Sequence, residues 1–177
     1  ILSCRNNKKL TSLPELPKCI KLDCSFNIEL ESFQASALPN CIELDCSYNI
    51  KLLSLPELPN CIKLRCFNNK VLTSLPELPK CEELYCSYSK LTSLPELSQC
   101  IKLYCSNNNL TSLPELPKCE ELACDNNPNL YYSRSKSEKF NLPYPSPGHD
   151  RRMNEIRELL KSASEKVGRT VLNMDKL

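Results

Sequence analysis

Histidine is nearly missing from this chain, and His149 is the only one. A zinc site of the mixed Cys and His kind has almost nothing to draw on. No apolar run approaches the length of a membrane span, so no spanning helix is expected. Neither sign of charge dominates. Against 23 Lys and Arg stand 21 Asp and Glu, and the net charge of +2 is too small to point to nucleic acid or a membrane surface. No charged-then-apolar leader stands in front. The first residues, Ile1-Leu2-Ser3-Cys4, include no initiator Met and already belong to a repeat. They carry no polar cap of the kind an array needs over its first coil. The expectation is a fragment or a chain whose upstream residues lie outside this sequence, any signal peptide or N-terminal domain among them.

What is present is repetition. Leu103-Tyr-Cys-Ser-Asn-Asn-Asn-Leu-Thr-Ser-Leu-Pro-Glu-Leu-Pro-Lys-Cys119 recurs in nearly the same words from Leu2 to Leu130. A fixed period near twenty residues is the signature of a solenoid, which adds core coil by coil. Units begin at Leu2, Leu22, Leu44, Leu64, Leu84, Leu103 and Leu122, with steps of 20, 22, 20, 20, 19 and 19 residues. The two shorter steps follow from one residue fewer between Ser89 and Leu91 and between Asn108 and Leu110. The long step comes from Phe33-Gln-Ala-Ser-Ala-Leu-Pro39, read as a bulged loop on the convex side.

Each unit alternates Leu-x-Cys, which predicts a short parallel strand with Leu22 and Cys24 inward and Asp23 outward. The paired prolines of Leu-Pro-Glu-Leu-Pro remove two amide donors per coil and exclude an ordinary helix. That half is expected to be extended and polyproline-like. The whole unit, Cys-x-x-Leu-x-Cys-x-x-Asn-x-(x)-Leu-Thr-Ser-Leu-Pro-Glu-Leu-Pro, resembles the leucine-rich repeat, with Cys at two positions where the family usually has aliphatics. Its short Leu-Pro-x-Leu-Pro form resembles that of bacterial effectors. Cys-bearing repeats of amoeba-infecting giant DNA viruses look similar too. The resemblance implies a repeat solenoid with its strands on the concave face.

The Asn column, Asn7, Asn27, Asn49, Asn69, Ser89, Asn108 and Asn127, reads as a hydrogen-bonded ladder, since buried amides must be satisfied. Ser89 is shorter and should leave a weak rung. All thirteen cysteines fall into two columns. One is Cys4, Cys24, Cys46, Cys66, Cys86, Cys105 and Cys124, and the other is Cys19, Cys41, Cys61, Cys81, Cys100 and Cys119. They read as small core residues. A disulfide framework fits poorly with an odd total. The uniform Cys-x4-Cys spacing is like a metal-ligand pair, but it lies in apolar columns, so neither metal nor another cofactor is expected. Thiols at this density fit a reducing compartment, the cytoplasm of some cell or the interior of a virus particle.

Binding residues are expected on the concave face. Before each strand Leu runs Lys21, Glu43, Lys63, Glu83, Lys102 and Glu121, whose alternating signs fit a register-fixing ladder. After it runs Ser3, Asp23, Asp45, Arg65, Tyr85, Tyr104 and Ala123. Two residues beyond each Cys comes Asn6, Phe26, Tyr48, Asn68, Tyr88, Asn107 and Asn126. Exposed aromatics beside charge are what interface hot spots are made of. Tyr85, Tyr88 and Tyr104 are the best anchors, with Phe26, Tyr48, Asp23, Asp45 and Arg65 as further contacts. The alternative is that these rings only shield strand edges. The Glu column Glu15, Glu57, Glu77, Glu96 and Glu115 lies on the open side without a cleft and is not read as catalytic.

Residues 1–130 therefore form the solenoid, 131–149 a Pro/Ser-rich extended linker, and 150–177 a C-terminal amphipathic helix and tail. Asp150 is the expected N-cap and Gly168 the stop of a helix over 151–167. Met153, Ile156, Leu159, Leu160, Ala163 and Val167 make its apolar stripe. That helix is expected to cap the open end of the solenoid or to bind a neighbour, with Arg151 and Arg152 set against the helix dipole and free for a partner. Bacterial effectors with similar repeats often carry a C-terminal ubiquitin-ligase domain with a catalytic Cys. No Cys follows Leu130, and Cys124-Asp125 belongs to the repeat, so an enzyme is not expected. The expectation is a non-enzymatic protein-binding module. The alternative is a structural subunit of a larger assembly such as a virus particle, laced to neighbours through residues 131–177.

Overall fold

Leu22, Leu44, Leu64, Leu84 and Leu103 are at most 2 % exposed, and each is the middle residue of a three-residue strand. The computed structural model describes residues 1–34, 38–143 and 146–166. The strands are β1 (Leu2–Ser3), β2 (Ser12–Leu13), β3 (Lys21–Asp23), β4 (Ser32–Phe33), β5 (Glu43–Asp45), β6 (Lys63–Arg65), β7 (Glu83–Tyr85), β8 (Lys102–Tyr104) and β9 (Glu121–Ala123). One seven-stranded sheet takes the order β1-β3-β5-β6-β7-β8-β9, and β2 pairs with β4 in a second. Every named pairing is parallel and sets repeat position against the same repeat position, as Leu22 against Leu44 and Leu44 against Leu64. The chain is a repeat solenoid, as the period predicts.

The core is a stack of Leu and Cys. The second Leu of each proline-rich half, Leu58, Leu78 and Leu97, is 1 % exposed. Full burial of such a side chain contributes roughly 1.5–3 kcal/mol, and it recurs at Leu38 and Leu116, while Leu16 of the first coil is only partly buried. Cysteine does more here than fill volume. In the second column each thiol donates to the carbonyl two residues ahead, as Cys41 to Glu43 O (3.2 Å) and Cys61 to Lys63 O (3.4 Å). The same contact recurs at Cys19, Cys81, Cys100 and Cys119. A valine or alanine could not make it. All thirteen thiols are free. Burial pushes Cys41 up to about 11 and Cys61 and Cys100 up to about 12.

The asparagines form the expected ladder. Asn49 Nδ2 donates to the carbonyls of Cys24 (3.1 Å) and Cys46 (3.0 Å), joining two coils, and Asn27 and Asn69 repeat the geometry. The oxygen of each amide accepts from the preceding coil, and the length of that coil chooses the donor. Where Leu stands three positions after Asn, the donor is the Asn amide, as Asn49 N to Asn69 Oδ1 (2.9 Å). In the two shortened coils it is the Leu amide instead, Leu91 N to Asn108 Oδ1 and Leu110 N to Asn127 Oδ1, both 3.0 Å. Ser89 is the weak rung: its hydroxyl accepts from Asn69 N at 3.3 Å and supplies no amide donors.

Among the described residues the proline-rich halves form no helix, and their regular pairing is limited to β2 with β4 and an isolated bridge between Ser112 and Tyr131. The extra residues of the long second unit fall partly on 35–37, outside the described residues. Residues 131–149 depart from an extended linker. Helix α1 (Arg134–Phe140) is capped by Ser133, whose side chain accepts from Lys136 N, and closed by Asn141 at φ 51. Lys136 reaches the carbonyls of Leu113 and Pro114 and the carboxylate of Glu115, and Lys139 reaches Leu116 O (2.8 Å). These cations satisfy carbonyls on the last proline-rich half. Tyr132 is buried and donates to Pro143 O at 2.6 Å.

Helix α1 and its flanks thus cover the last coil, and the first turn of the long helix lies beside them, with the His149 ring 6.3 Å from that of Tyr131. Helix α2 (His149–Lys166) starts one residue before Asp150, so Asp150 lies in its first turn rather than at its N-cap. Leu159 and Leu160 are 68 % and 46 % exposed, leaving that part of the stripe uncovered. Val167 and Gly168, and the side chain of Ala163, lie outside the described residues. Arg151 and Arg152 both pair with Glu155, which answers the dipole mismatch within the helix itself.

Candidate protein-binding face

The concave face carries two side-chain columns with opposite electrostatic character. In the column before the strand Leu, cations and anions pair off two by two. Lys21 meets Glu43 at 2.6 Å, Lys102 meets Glu121 at 2.5 Å, and Lys63 meets Glu83. The Lys63 hydrogen bond holds the Glu83 carboxyl below the usual carboxylate range, and Lys102 does the same for Glu121. These charges are consumed by the fold.

The next column is not neutralised in this way. Asp23, Asp45, Arg65, Tyr85 and Tyr104 stand in register on successive strands. Asp23 and Asp45 place like charges directly opposite each other, which costs stability. One oxygen of each serves its own turn. Asp23 Oδ1 accepts from Ser25 N (3.0 Å) and Ser25 Oγ (2.7 Å), and Asp45 Oδ1 accepts from Ser47 N (3.0 Å). Among the described residues neither Asp has a cation within ion-pair distance, and Arg65 has no carboxylate; its guanidinium lies 5.4 Å from the Tyr85 ring. Tyr85 and Tyr104 stack at 5.0 Å with ring planes 6° apart. Their hydroxyls donate to Glu83 (3.1 Å) and Glu121 (2.5 Å), which fixes both rings. Desolvation, then the Glu83 contact, pushes the Tyr85 hydroxyl up, and the Glu121 hydrogen bond does so for Tyr104.

Phe26, Tyr48 and Tyr88 are placed elsewhere. They sit on the turn beyond each strand, at a position with φ of 60, 60 and 59. Asn6, Asn68, Asn107 and Asn126 occupy the same left-handed position in the other coils. The eight expected contacts thus sort into a concave column and a rim, and Tyr88 does not join the Tyr85–Tyr104 stack. On the rim, Phe26 stacks on Tyr48 at 4.3 Å, Tyr48 meets Phe67 edge-on at 5.2 Å, and Arg5 lies 4.8 Å over Phe26. Phe67 was not among the expected residues because it replaces a serine of the repeat. The four asparagines in the rim column were the available signal for a left-handed turn. Tyr88 is 54 % exposed, with the Lys70 ammonium 5.7 Å from its ring.

A shallow hollow on the concave side is lined by Lys21, Asp23, Glu43, Asp45 and Arg65. Burial pushes the thiols of Cys41, Cys61 and Cys100 up, the reverse of what a nucleophilic cysteine needs. Among the described residues no three His, Cys, Asp or Glu side chains are grouped to hold a metal ion, and no helix is long and apolar enough to cross a membrane. No family model and no curated protein matches the chain.

Proposed function

We propose that this solenoid is a non-enzymatic recognition module of the leucine-rich-repeat type that binds a partner protein through its concave column. The observation that carries the reading is the contrast between neighbouring columns. Lys and Glu pair throughout one, while among the described residues Asp23, Asp45 and Arg65 have no ion-pair partner in the other. Charge that costs the free fold stability and is left open is available to a partner. The rim adds to this. Tyr88 occupies a left-handed backbone position, unfavourable for a bulky residue, while its ring remains half exposed. The buried thiols favour a reducing compartment.

A random-peptide display library panned on the reduced protein tests the reading. Selected binders are expected to lose at least about tenfold in affinity for a Tyr85→Ala/Tyr104→Ala variant, the loss hot-spot residues give. Binders indifferent to that variant overturn the concave-face reading.

A second reading, a structural subunit joined to neighbours through its tail, is favoured by the uncovered Leu159 and Leu160. Light scattering with size-exclusion chromatography in reducing buffer separates the two. A defined oligomer that dissociates on Leu159→Glu/Leu160→Glu supports the subunit, and a monomer argues against it.

A further inference from the structure

The concave column has a sequence of its own, and its spacing matches that of an extended chain. Read along the solenoid axis it runs acid, acid, base, ring, ring: Asp23, Asp45, Arg65, Tyr85, Tyr104. Neighbouring strands lie about 4.8 Å apart. The midpoint of the two carboxylates is thus about 7 Å from Arg65 and about 14 Å from the midpoint of the ring pair. An extended peptide advances about 3.3 Å per residue, so these distances correspond to about two and about four residues. Side chains two and four apart on an extended chain share one face. A segment laid across the strands can therefore address all three stations at once, its intervening side chains pointing to solvent.

We propose that the partner presents an extended segment with a basic residue at i, an acidic residue at i+2 and an aromatic or large apolar residue at i+4, aligned on Asp23/Asp45, Arg65 and Tyr85/Tyr104. The chemistry of each station supports its assignment. The second oxygen of Asp23 and of Asp45 has no partner among the described residues, and together they suit a lysine or arginine. The Arg65 guanidinium lies 5.4 Å from the Tyr85 ring centroid, and its N–H donors have no acceptor among the described residues, which leaves them to meet a carboxylate. The Tyr85–Tyr104 stack is held at both hydroxyls, so little rotamer freedom remains to be lost on contact. Chain direction is immaterial to the spacing, and the reversed order, apolar, acidic, basic, satisfies the same stations.

This inference rests on the recognition reading, and the same library distinguishes the two. The expected result is that binders dependent on Tyr85 and Tyr104 share the i, i+2, i+4 pattern in one direction or the other. Binders that need the tyrosines but lack the pattern overturn this inference and leave the recognition reading intact. Binders that ignore the tyrosines, or no binders at all, count against both.

Fluorescence anisotropy with a synthetic peptide gives the sharper test. The peptide carries Lys, Glu and Phe at alternate positions in a Ser/Thr background. Moving the Glu by one position turns it to the other face, and affinity is expected to fall at least about tenfold. The Arg65→Glu variant is expected to lose the original peptide and to bind one with Lys in place of that Glu. Among the described residues the Arg65 side chain makes a ring contact and no ion pair, its strand bonds being those of the backbone, and circular dichroism of the variant checks that the fold survives. Failure of this charge swap in a folded variant, with the original peptide still bound, overturns the assignment of Arg65 and with it the proposed alignment.

Discussion

Ser89 shows how much one side chain carries in a repeated structure. Where Asn108 bridges the carbonyls of Cys86 and Cys105, Ser89 makes no comparable bridge. Ser89→Asn should restore the rung, because its own coil has the same short spacing as that of Asn108. An added buried hydrogen bond is worth about 1 kcal/mol, so the urea midpoint of the reduced protein is expected to rise accordingly. No change would show that the ladder is saturated without it. Tyr88→Asn should also stabilise, by about 1 kcal/mol, since Asn tolerates the left-handed position that Tyr88 occupies at φ 59. Tyr48→Asn gains the same backbone relief but gives up its stack on Phe26, so it should stabilise less. The comparison of the two midpoints measures what the ring cluster is worth. Residues such as Leu22, Cys24 and Asn49 were legible in the sequence because position in the period fixes which way each points. Tyr88 was not placed correctly because alternation ends at the strand, and the turn redirects the next side chains.

Among elements, the strands of the seven-stranded sheet follow from Leu-x-Cys alone, while the cap depends on contacts the period cannot express. Helix α1 is seven residues long, polar, and followed by prolines. Its ends are set by Ser133 and Asn141, ordinary helix-end residues that mean little without an apolar stripe between them, and it is held by the carbonyls that Lys136 and Lys139 reach on the preceding coil, which have no sequence signature. Gly148 closes the cap. Its amide donates to Leu130 O at 2.8 Å, and a Cβ there would stand 2.3 Å from the Asn129 carbonyl oxygen. Gly148→Ala is therefore expected to lift Ser146 and Gly148 from the last coil and cost about 1–3 kcal/mol, the usual range for overpacking. Faster amide exchange at Tyr131 and Tyr132, with exchange in β5 and β6 unchanged, would locate the damage at the cap. An even loss across the array would refute that role.

At the level of the whole molecule, the thiols tie stability to alkaline pH. A thiol whose folded pKa lies above its unfolded value stabilises the fold fully below the unfolded value. That contribution is lost as pH rises through the folded one. The ordinary value is 9.0, and burial raises Cys41 and Cys124 to about 11 and Cys61 and Cys100 to about 12. The thermal midpoint in phosphine reductant should hold up to about pH 8.5 and then fall steeply toward pH 11. Replacing Cys61 and Cys100 by Ala should make the fall shallower by about 1.4 kcal/mol per pH unit for each thiol removed. An equal slope in the variant would mean that the thiols ionise alike in the folded and unfolded chain.

A solenoid also transmits tension in series. Each coil bonds only to its neighbours, so a pull along the axis is borne equally by every seam, and the weakest one sets the yield force. Among the coils joined by three-residue strands, that seam is the one between the coils of Asn69 and Ser89, where the ladder passes from a 2.9 Å amide contact at Asn49 to a 3.3 Å hydroxyl contact at Asn69. It lies between Arg65 and Tyr85, in the middle of the concave column. A stretched molecule would part there first, separating the charged stations from the aromatic ones and releasing whatever spans them.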